Sequence, residues 1–156
     1  MVIDLAEIER IKHLKYTYFK AVDTKDWDLF GSCFVEDAVS RYENGTLSWE
    51  GRQNIIDGLR PLIGGATLLT QHQGHHPIIE LTGETTAAGS WYLQDVCYEL
   101  RENWWFHGTA YYSDEYVKRE GEWKIKLTGF ERIFLVREAP LPENLKVEFN
   151  LFAPAD

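Results

Sequence analysis

Apolar residues recur every three to four positions over the first part of the chain. They occupy Leu5, Ile8, Ile11, Leu14, Tyr18 and Val22, a spacing that predicts one long amphipathic helix over residues 4–22. A second, short helix is predicted over 27–34, capped by Thr24 or Asp26. A third is expected over 51–62, ending near Pro61 and the Gly64-Gly65 pair. Between the second and third helices, 38–42 and 47–49 are predicted to form a hairpin around Asn44-Gly45.

After residue 67 the pattern changes to long strands separated by short polar turns. The expected strands are 67–81, 85–100, 104–118 and 123–136. Three helices followed by a curved antiparallel meander predict an α+β fold. The chain has the length of one domain, so we assign 1–156 to a single unit with a core of about 8–136. The tail, 137–156, is expected to pack on the domain or on a neighbouring subunit.

Charge and cysteine content narrow the classes of partner and compartment. The chain has 156 residues and a formal charge of -9, with 25 acidic against 16 basic residues. This balance disfavours nucleic acid and anionic membranes as partners. No apolar run approaches the roughly 20 residues that span a bilayer, and the amphipathic start lacks the apolar core of a signal peptide. We therefore expect a cytoplasmic protein in which Cys33 and Cys97 are free, buried thiols.

Aromatic residues are abundant, with 6 Trp, 8 Tyr and 8 Phe. Ordinary core and sheet packing accounts for many of them. Tyr and Trp also line cavities that accept flat apolar ligands, and Trp91 and Trp105 are candidates for such a lining.

Three of the five histidines fall between residues 72 and 76. Strand alternation would place His72, Gly74 and His76 on one face and His75 on the other. No Cys lies closer to this cluster than Cys97, and the chain has no HExxH or CxxC pattern, so we expect no metal site. Histidine is instead the side chain suited to carry protons near neutral pH.

This order of elements resembles the SnoaL-like members of the nuclear transport factor 2-like superfamily. Within it the pattern is most similar to the bile-acid 7α-dehydratases, and more distantly similar to scytalone dehydratases and lindane dehydrochlorinases. The resemblance covers about 8–136. The segments that carry it are 11–19 with Asp23 and Trp27-Asp28, the strand of His72, and the stretches 89–95, 108–116 and 121–134.

The resemblance implies a cone-shaped α+β barrel, in which a strongly bent mixed or antiparallel sheet surrounds a pocket closed by three N-terminal helices. It also implies a catalytic group of four residues. Asp23 would orient His72, which would act as general base, as an imidazole held in one tautomer by a carboxylate can do. Tyr18 and Arg132 would donate hydrogen bonds to a substrate carbonyl as it gains negative charge.

Each of these residues also has a structural interpretation. Asp23 suits a helix terminus, Tyr18 lies on the apolar face of its helix, and a histidine in a strand is commonly a satisfied structural residue. Arg132 alternates in phase with Phe130 and Phe134, so on an inner face it would need an anionic or carbonyl partner such as Asp95.

Further pocket residues are expected beside this group. Asp95 shares a strand face with Leu93 and Trp91, and would bind Arg132 or a leaving hydroxyl. His107 matches a strand position that carries histidine in scytalone dehydratase, and would be a second imidazole in the pocket. His76 is expected at the rim.

The activity that the resemblance implies is a cofactor-independent dehydration of an apolar, ring-containing hydroxy compound such as a steroid, terpenoid or polyketide. A double-bond isomerase or polyketide cyclase on the same scaffold remains an alternative, as does a non-catalytic protein that binds small molecules. The resemblance implies assembly through the outer face of the sheet, and because the dehydratase-like relatives are trimers we expect a homotrimer, with a dimer as the alternative.

Overall fold

The computed structural model describes residues 4–154, which form three helices and one six-stranded sheet. The helices are α1 (Leu5–Thr24), α2 (Trp27–Ser32) and α3 (Arg52–Ile63). The strands are β1 (Phe34–Tyr42), β2 (Leu47–Glu50), β3 (Leu68–Leu81), β4 (Thr86–Glu99), β5 (Trp104–Arg119) and β6 (Glu122–Glu138). The sheet has the order β2-β1-β6-β5-β4-β3. The predicted α+β class is confirmed, and the bent sheet stays open between β2 and β3.

Most neighbouring strands are antiparallel, while β1 and β6 run parallel. The short hairpin between β1 and β2 contains a turn of 3-10 helix, Glu43–Gly45, in which Glu43 (φ 47°) and Asn44 (φ 56°) both have left-handed backbones. This turn brings the Glu43 side chain to the inner side of the sheet, beside β6.

Helix α1 begins where the Asp4 carboxylate accepts hydrogen bonds from the backbone N–H groups of Ala6 and Glu7, a standard N-cap. It ends at Thr24 and is followed by Lys25, whose backbone is left-handed. Its buried face lies on β3, where Gly74 is essential for close approach. A Cβ at Gly74 would lie 2.4 Å from Cε2 of Phe19, so only a glycine lets the helix pack this tightly.

The core lies between the helices and the concave side of the sheet. Its largest fully buried side chains include Phe30, Phe34, Trp91, Tyr116 and Ile125. Both cysteines are free and buried, as predicted. Among the described residues, no helix is long and apolar enough to span a bilayer.

The described part of the tail contacts its own domain at three places. The backbone N–H of Leu141 donates to Oδ1 of Asn103 at 3.1 Å, and Nδ2 of Asn150 donates to the carbonyl of Ala66 at 3.0 Å. The Phe152 ring then lies 4.4 Å from Nζ of Lys25. The tail therefore passes from the turn between β4 and β5 to the connection from α3 to β3 and the end of α1.

Candidate active site

A cavity of about 640 Å³ opens between the helices and the concave face of the sheet. Its walls are largely aromatic and aliphatic, and His72 and the carboxylates of Asp95 and Glu43 face into it. Apolar walls with a few convergent polar groups are typical of small-molecule sites.

Asp23 and His72 are in direct contact at this cavity. Nδ1 of His72 and Oδ1 of Asp23 are 2.7 Å apart. The carboxylate also accepts a hydrogen bond from the His72 backbone N–H at 2.8 Å and one from Oγ1 of Thr70 at 2.8 Å. Three donors on one carboxylate fix its orientation, and the carboxylate in turn holds the proton on Nδ1. Nε2 is then the nitrogen with a lone pair available to a ligand.

The position of β3 at the sheet edge makes this arrangement possible. Since the His72 N–H points to Asp23 on the helix side, it does not bond to β4, and His72 and its β4 partner Asp95 form a non-hydrogen-bonded pair. The Cα atoms of such a pair are roughly 4.5 Å apart and their side chains are neighbours. Asp95 therefore lies directly beside the base candidate.

Arg132 lies between two carboxylates. Its Nη1 and Nη2 donate to Oδ1 and Oδ2 of Asp95 at 2.6 and 2.8 Å, so the contact expected between these residues forms. Its Nε and Nη2 also donate to Glu43, the latter at 2.6 Å. Burial alone would lower the pKa of Arg132, but the hydrogen bonds that it donates to Asp95 and Glu43 outweigh this effect and raise the pKa above its usual value. Because its donors are directed to these carboxylates, Arg132 is poorly placed to bind a substrate carbonyl.

Gly108 provides the space that the guanidinium occupies. It pairs with Asp95 across β4 and β5, and a Cβ there would lie 2.7 Å from Nη1 of Arg132 and 3.1 Å from Oδ1 of Asp95. The arginine thus reaches from β6 across β5 to a carboxylate on β4. His72, Asp95, Gly108 and Arg132 form one polar row across four strands.

Three tyrosine hydroxyls form a second polar group on the cavity wall. The hydroxyl of Tyr18 donates to that of Tyr42 at 2.9 Å and lies 3.4 Å from that of Tyr112. Burial raises the pKa of Tyr18, and the neighbouring phenols raise it further. Burial likewise raises the pKa of Tyr42. These hydroxyls therefore stay protonated, and a chain from Tyr112 through Tyr18 to Tyr42 leaves the Tyr42 proton for a ligand.

Behind the tyrosines lies a buried ion pair that the sequence analysis missed. Nζ of Lys15 is 2.7 Å from Oδ2 of Asp114, and both side chains are fully buried. The same carboxylate accepts hydrogen bonds from Thr128 at 2.6 Å and Tyr116 at 2.7 Å. Nζ also lies 3.6 Å from the centroid of the Tyr112 ring. The spacing of residues in α1 already indicates that Lys15 is buried, because Lys15 follows Ile11 by four positions and precedes Tyr18 by three on the apolar face of the helix.

Several predicted pocket residues lie elsewhere. His107 and Trp105 do not line the cavity: their rings are 5.6 Å apart, and Trp105 stacks on Tyr98 while His107 meets Phe134 edge-on. They are on the opposite face because Val96, not Asp95, is the partner of His107. The expectation of a second imidazole in this pocket is thus corrected.

Trp91 and His76 are corrected in the same way. Trp91 is fully buried in the core, where its Nε1 donates to the hydroxyl of Tyr116 at 2.9 Å. His76 is exposed, has a φ of 48°, and lies where the register of β3 and β4 shifts. This bulge breaks the alternation that placed His76 on the face of His72.

In the described part of the chain, 4–154, no group of three or more His, Cys, Asp or Glu side chains is arranged to hold a metal ion. The polar groups of the cavity include His72, tyrosine hydroxyls, carboxylates, and an arginine that is bound by two of those carboxylates. An open, bent sheet with N-terminal helices around a cavity is the arrangement of the nuclear transport factor 2-like fold. Within it, the chain belongs to the SnoaL-like domain family, whose model matches residues 4–128.

Solved structures show the same fold. One is a candidate scytalone dehydratase of Novosphingobium aromaticivorans, with a TM-score of 0.79 and 22% identity over 92% of this chain and 97% of that one. Another is the hexachlorocyclohexane dehydrochlorinase LinA-type3 of Novosphingobium barchaimii (0.78; 19%; 88% and 93%). A third is a candidate aromatic ring hydroxylase of Novosphingobium aromaticivorans (0.80; 19%; 88% and 96%). At these identities the likeness establishes the fold, which hosts more than one chemistry.

Proposed function

We propose that this protein is a cofactor-independent lyase that eliminates water from an apolar, ring-containing β-hydroxy carbonyl compound. The observation that carries the proposal is the contact between Asp23 and Nδ1 of His72 on the wall of an aromatic cavity. A carboxylate that orients an imidazole also stabilises the imidazolium formed after proton abstraction. Two of the proteins with this fold, the candidate scytalone dehydratase and the dehydrochlorinase, are named for eliminations.

In the proposed reaction, Nε2 of His72 removes the proton from the carbon next to the substrate carbonyl. The electron pair of that C–H bond forms an enolate, whose oxygen accepts a hydrogen bond from Tyr42. The enolate then re-forms the carbonyl, a carbon–carbon double bond forms, and the β-hydroxyl leaves with the proton that His72 holds, as water. Tyr42 takes the role predicted for Tyr18 and Arg132, because Tyr18 donates to Tyr42 and Arg132 is bound by carboxylates.

Of the histidines among residues 4–154, only His72 lines the cavity. A single base must therefore remove the proton and protonate the leaving group, which requires both on one side of the substrate ring. The same constraint suits a double-bond shift, in which one base moves a proton along one face. Isomerisation is therefore the second candidate, and the product mass separates the two, since only elimination loses water.

The test is a screen of hydroxysteroids and hydroxylated polyketides for new conjugated absorbance. For a substrate that responds, we expect His72→Ala to lower kcat at least about 100-fold, the lower end for loss of a general base. Asp23→Asn should lower kcat by up to about 10,000-fold, the loss when the imidazole is held in the wrong tautomer, and Tyr42→Phe by about 100- to 1000-fold through loss of a donor.

His75→Ala is the matched control, because its ring lies beside that of His76 rather than in the cavity. It should keep wild-type turnover. Circular dichroism would verify that all four variants fold. Full turnover by folded His72→Ala and Asp23→Asn would refute the site.

We also propose that the protein forms a homotrimer through the outer side of the sheet. Phe134 and Val136 lie on the outer side near the end of β6, where they pair with Thr109 and His107, and they are 51% and 49% exposed. Such a patch is costly to leave in water. Light scattering after gel filtration should give three times the chain mass, and a monomer at micromolar concentration would contradict the proposal.

A further inference from the structure

The acidic side chains on the cavity wall outnumber the basic ones. The wall contains four carboxylates, of Glu43, Asp95, Glu99 and Glu102, and two guanidinium groups, of Arg101 and Arg132. Asp23 adds a further negative charge directly behind His72. Like charges repel more strongly where water is excluded, so this excess of negative charge disfavours the entry of anionic substrates.

The deep part of the cavity has a net charge of -1 at Arg132 and its two partners. Arg132 is 10% exposed, Asp95 2% and Glu43 35%. One guanidinium is shared by two carboxylates, so it cannot also neutralise a carboxylate on a ligand. A ligand anion in this place would compete with Glu43 for the same N–H groups and would face Asp95 directly.

The outer part of the cavity, at Glu99, Arg101 and Glu102, also has two carboxylates for one guanidinium group. Glu99 is 7% exposed and accepts a hydrogen bond from the backbone N–H of Arg101 at 2.9 Å. The Arg101 side chain lies largely in water, 3.9 Å from a carboxylate oxygen of Glu102. Lys25 lies near this part of the cavity, but its ammonium donates hydrogen bonds to the carbonyls of Ile63, Gly65 and Leu68. Its donors are therefore already used within the protein and are not directed to a ligand.

We propose that the cavity selects uncharged ligands and rejects carboxylates, so that the substrate class is a neutral hydroxy-ketone or ester rather than a free acid or an acyl-coenzyme A. The inference rests on the proposed function in taking this cavity as the substrate site. It is tested by binding alone, without turnover, and so stands or falls separately from the elimination chemistry.

The experiment compares two flat probes of the same shape, 2-naphthamide and 2-naphthoate, by calorimetric titration at about pH 7.5, where a carboxylic acid is ionised. We expect the amide to bind at least tenfold more tightly. Raising the salt concentration should narrow the ratio, since salt screens the repulsion. Equal or tighter binding of 2-naphthoate, or no binding of either probe at millimolar concentration, would overturn the proposal.

Charge removal at Glu43 provides the second arm. Glu43→Gln keeps a carbonyl acceptor for Arg132 and removes one negative charge, so it should tighten 2-naphthoate binding at least fivefold and change 2-naphthamide binding less than twofold. Glu84→Gln, an exposed position in the turn between β3 and β4, is the matched control and should leave the ratio unchanged. An unchanged ratio in Glu43→Gln would overturn the proposal. His72→Ala should keep the ratio whether or not it abolishes turnover.

Discussion

The buried pair of Lys15 and Asp114 provides the sharpest test of the energetics of this fold. Both side chains are fully buried, and Nζ and Oδ2 are 2.7 Å apart. Burial lowers the pKa of Lys15, while the charge and hydrogen bond of Asp114 oppose that effect. The pair is therefore expected to be far more sensitive to losing one partner than to losing both.

We expect Lys15→Met to destabilise the protein by about 3–5 kcal/mol, because it leaves the Asp114 carboxylate buried without its cation. Asp114→Asn should have a similar cost, since it strands the ammonium and also turns an amide N–H toward Thr128 or Tyr116, both of which donate to the present carboxylate. For a chain of this size, these losses correspond to a fall in Tm of roughly 6–20 °C.

The double variant Lys15→Met/Asp114→Asn removes both charges. It should cost at least about 2 kcal/mol less than the sum of the two single changes, as coupled partners do. The assay is urea unfolding followed by tryptophan fluorescence, with the slope m checked for constancy. Lys12→Met is the control, because Lys12 pairs with the exposed Glu9 on the same helix and such pairs contribute about 0–1 kcal/mol. Additive single costs, or a cost below about 1 kcal/mol for Asp114→Asn, would refute the reasoning.

Two further predictions concern a glycine and the thiols. Gly108→Ala should lower affinity for 2-naphthamide or turnover at least tenfold while costing about 1–3 kcal/mol of stability, because a Cβ 2.7 Å from Nη1 forces Arg132 to move; unchanged binding would contradict it. Burial raises the pKa of Cys33 from 9.0 to about 11 and of Cys97 from 9.0 to about 12, so the unfolded chain loses thiol protons first and stability falls as the pH rises above about 9. The stability advantage of wild type over Cys33→Ala/Cys97→Ala should therefore shrink by about 2.5 kcal/mol between about pH 8 and 10 in urea unfolding, and a constant advantage would contradict the prediction.

The periodicity of the sequence predicted the helices and strands well, because helix and strand spacing depend only on local geometry. The bounds differ by a few residues: β1 begins at Phe34 rather than 38, and α2 ends at Ser32 rather than 34. Pro61 lies within α3, and because proline has no N–H to donate to the carbonyl of Asp57, the last turn of the helix lacks one hydrogen bond.

Strand phase was a weaker guide to the site. It correctly grouped Asp95 with Leu93 and Trp91, but residues on one face still divide between the core and the cavity, and Trp91 belongs to the core. For His107 the deciding quantity is the register between β4 and β5. Register is the alignment of two paired strands, and in a hairpin it is set by the type of the connecting turn. The turn type between β4 and β5 could not be read from the sequence, so the register could not be predicted.

A bulge in β6 explains why Phe134 does not share a face with Phe130 and Arg132, although the alternation predicted that it would. The register of β5 and β6 shifts between the pairs Thr109–Phe134 and Ala110–Arg132, so β6 has one extra residue after Arg132. Phe134 is then 51% exposed although Phe130, on the same predicted face, is 9% exposed. Bulges re-aim side chains beside functional sites, and here the bulge separates the inward Arg132 from the outward Phe134.

The role of Arg132 follows from where its partners lie in the sheet. Glu43 belongs to the turn between β1 and β2 at one edge, whereas Asp95 is on β4, next to the edge strand that carries His72. The backbone N–H of Arg132 also donates to Oδ1 of Asn44 at 2.7 Å. One arginine thus connects the turn at one edge of an open sheet to the neighbour of the base candidate at the other. The two carboxylates that bind Arg132 make the burial of its charge tolerable. The same two carboxylates give the deep part of the cavity its negative charge. The link that Arg132 forms across the sheet and the proposed selection against anions therefore have one physical origin.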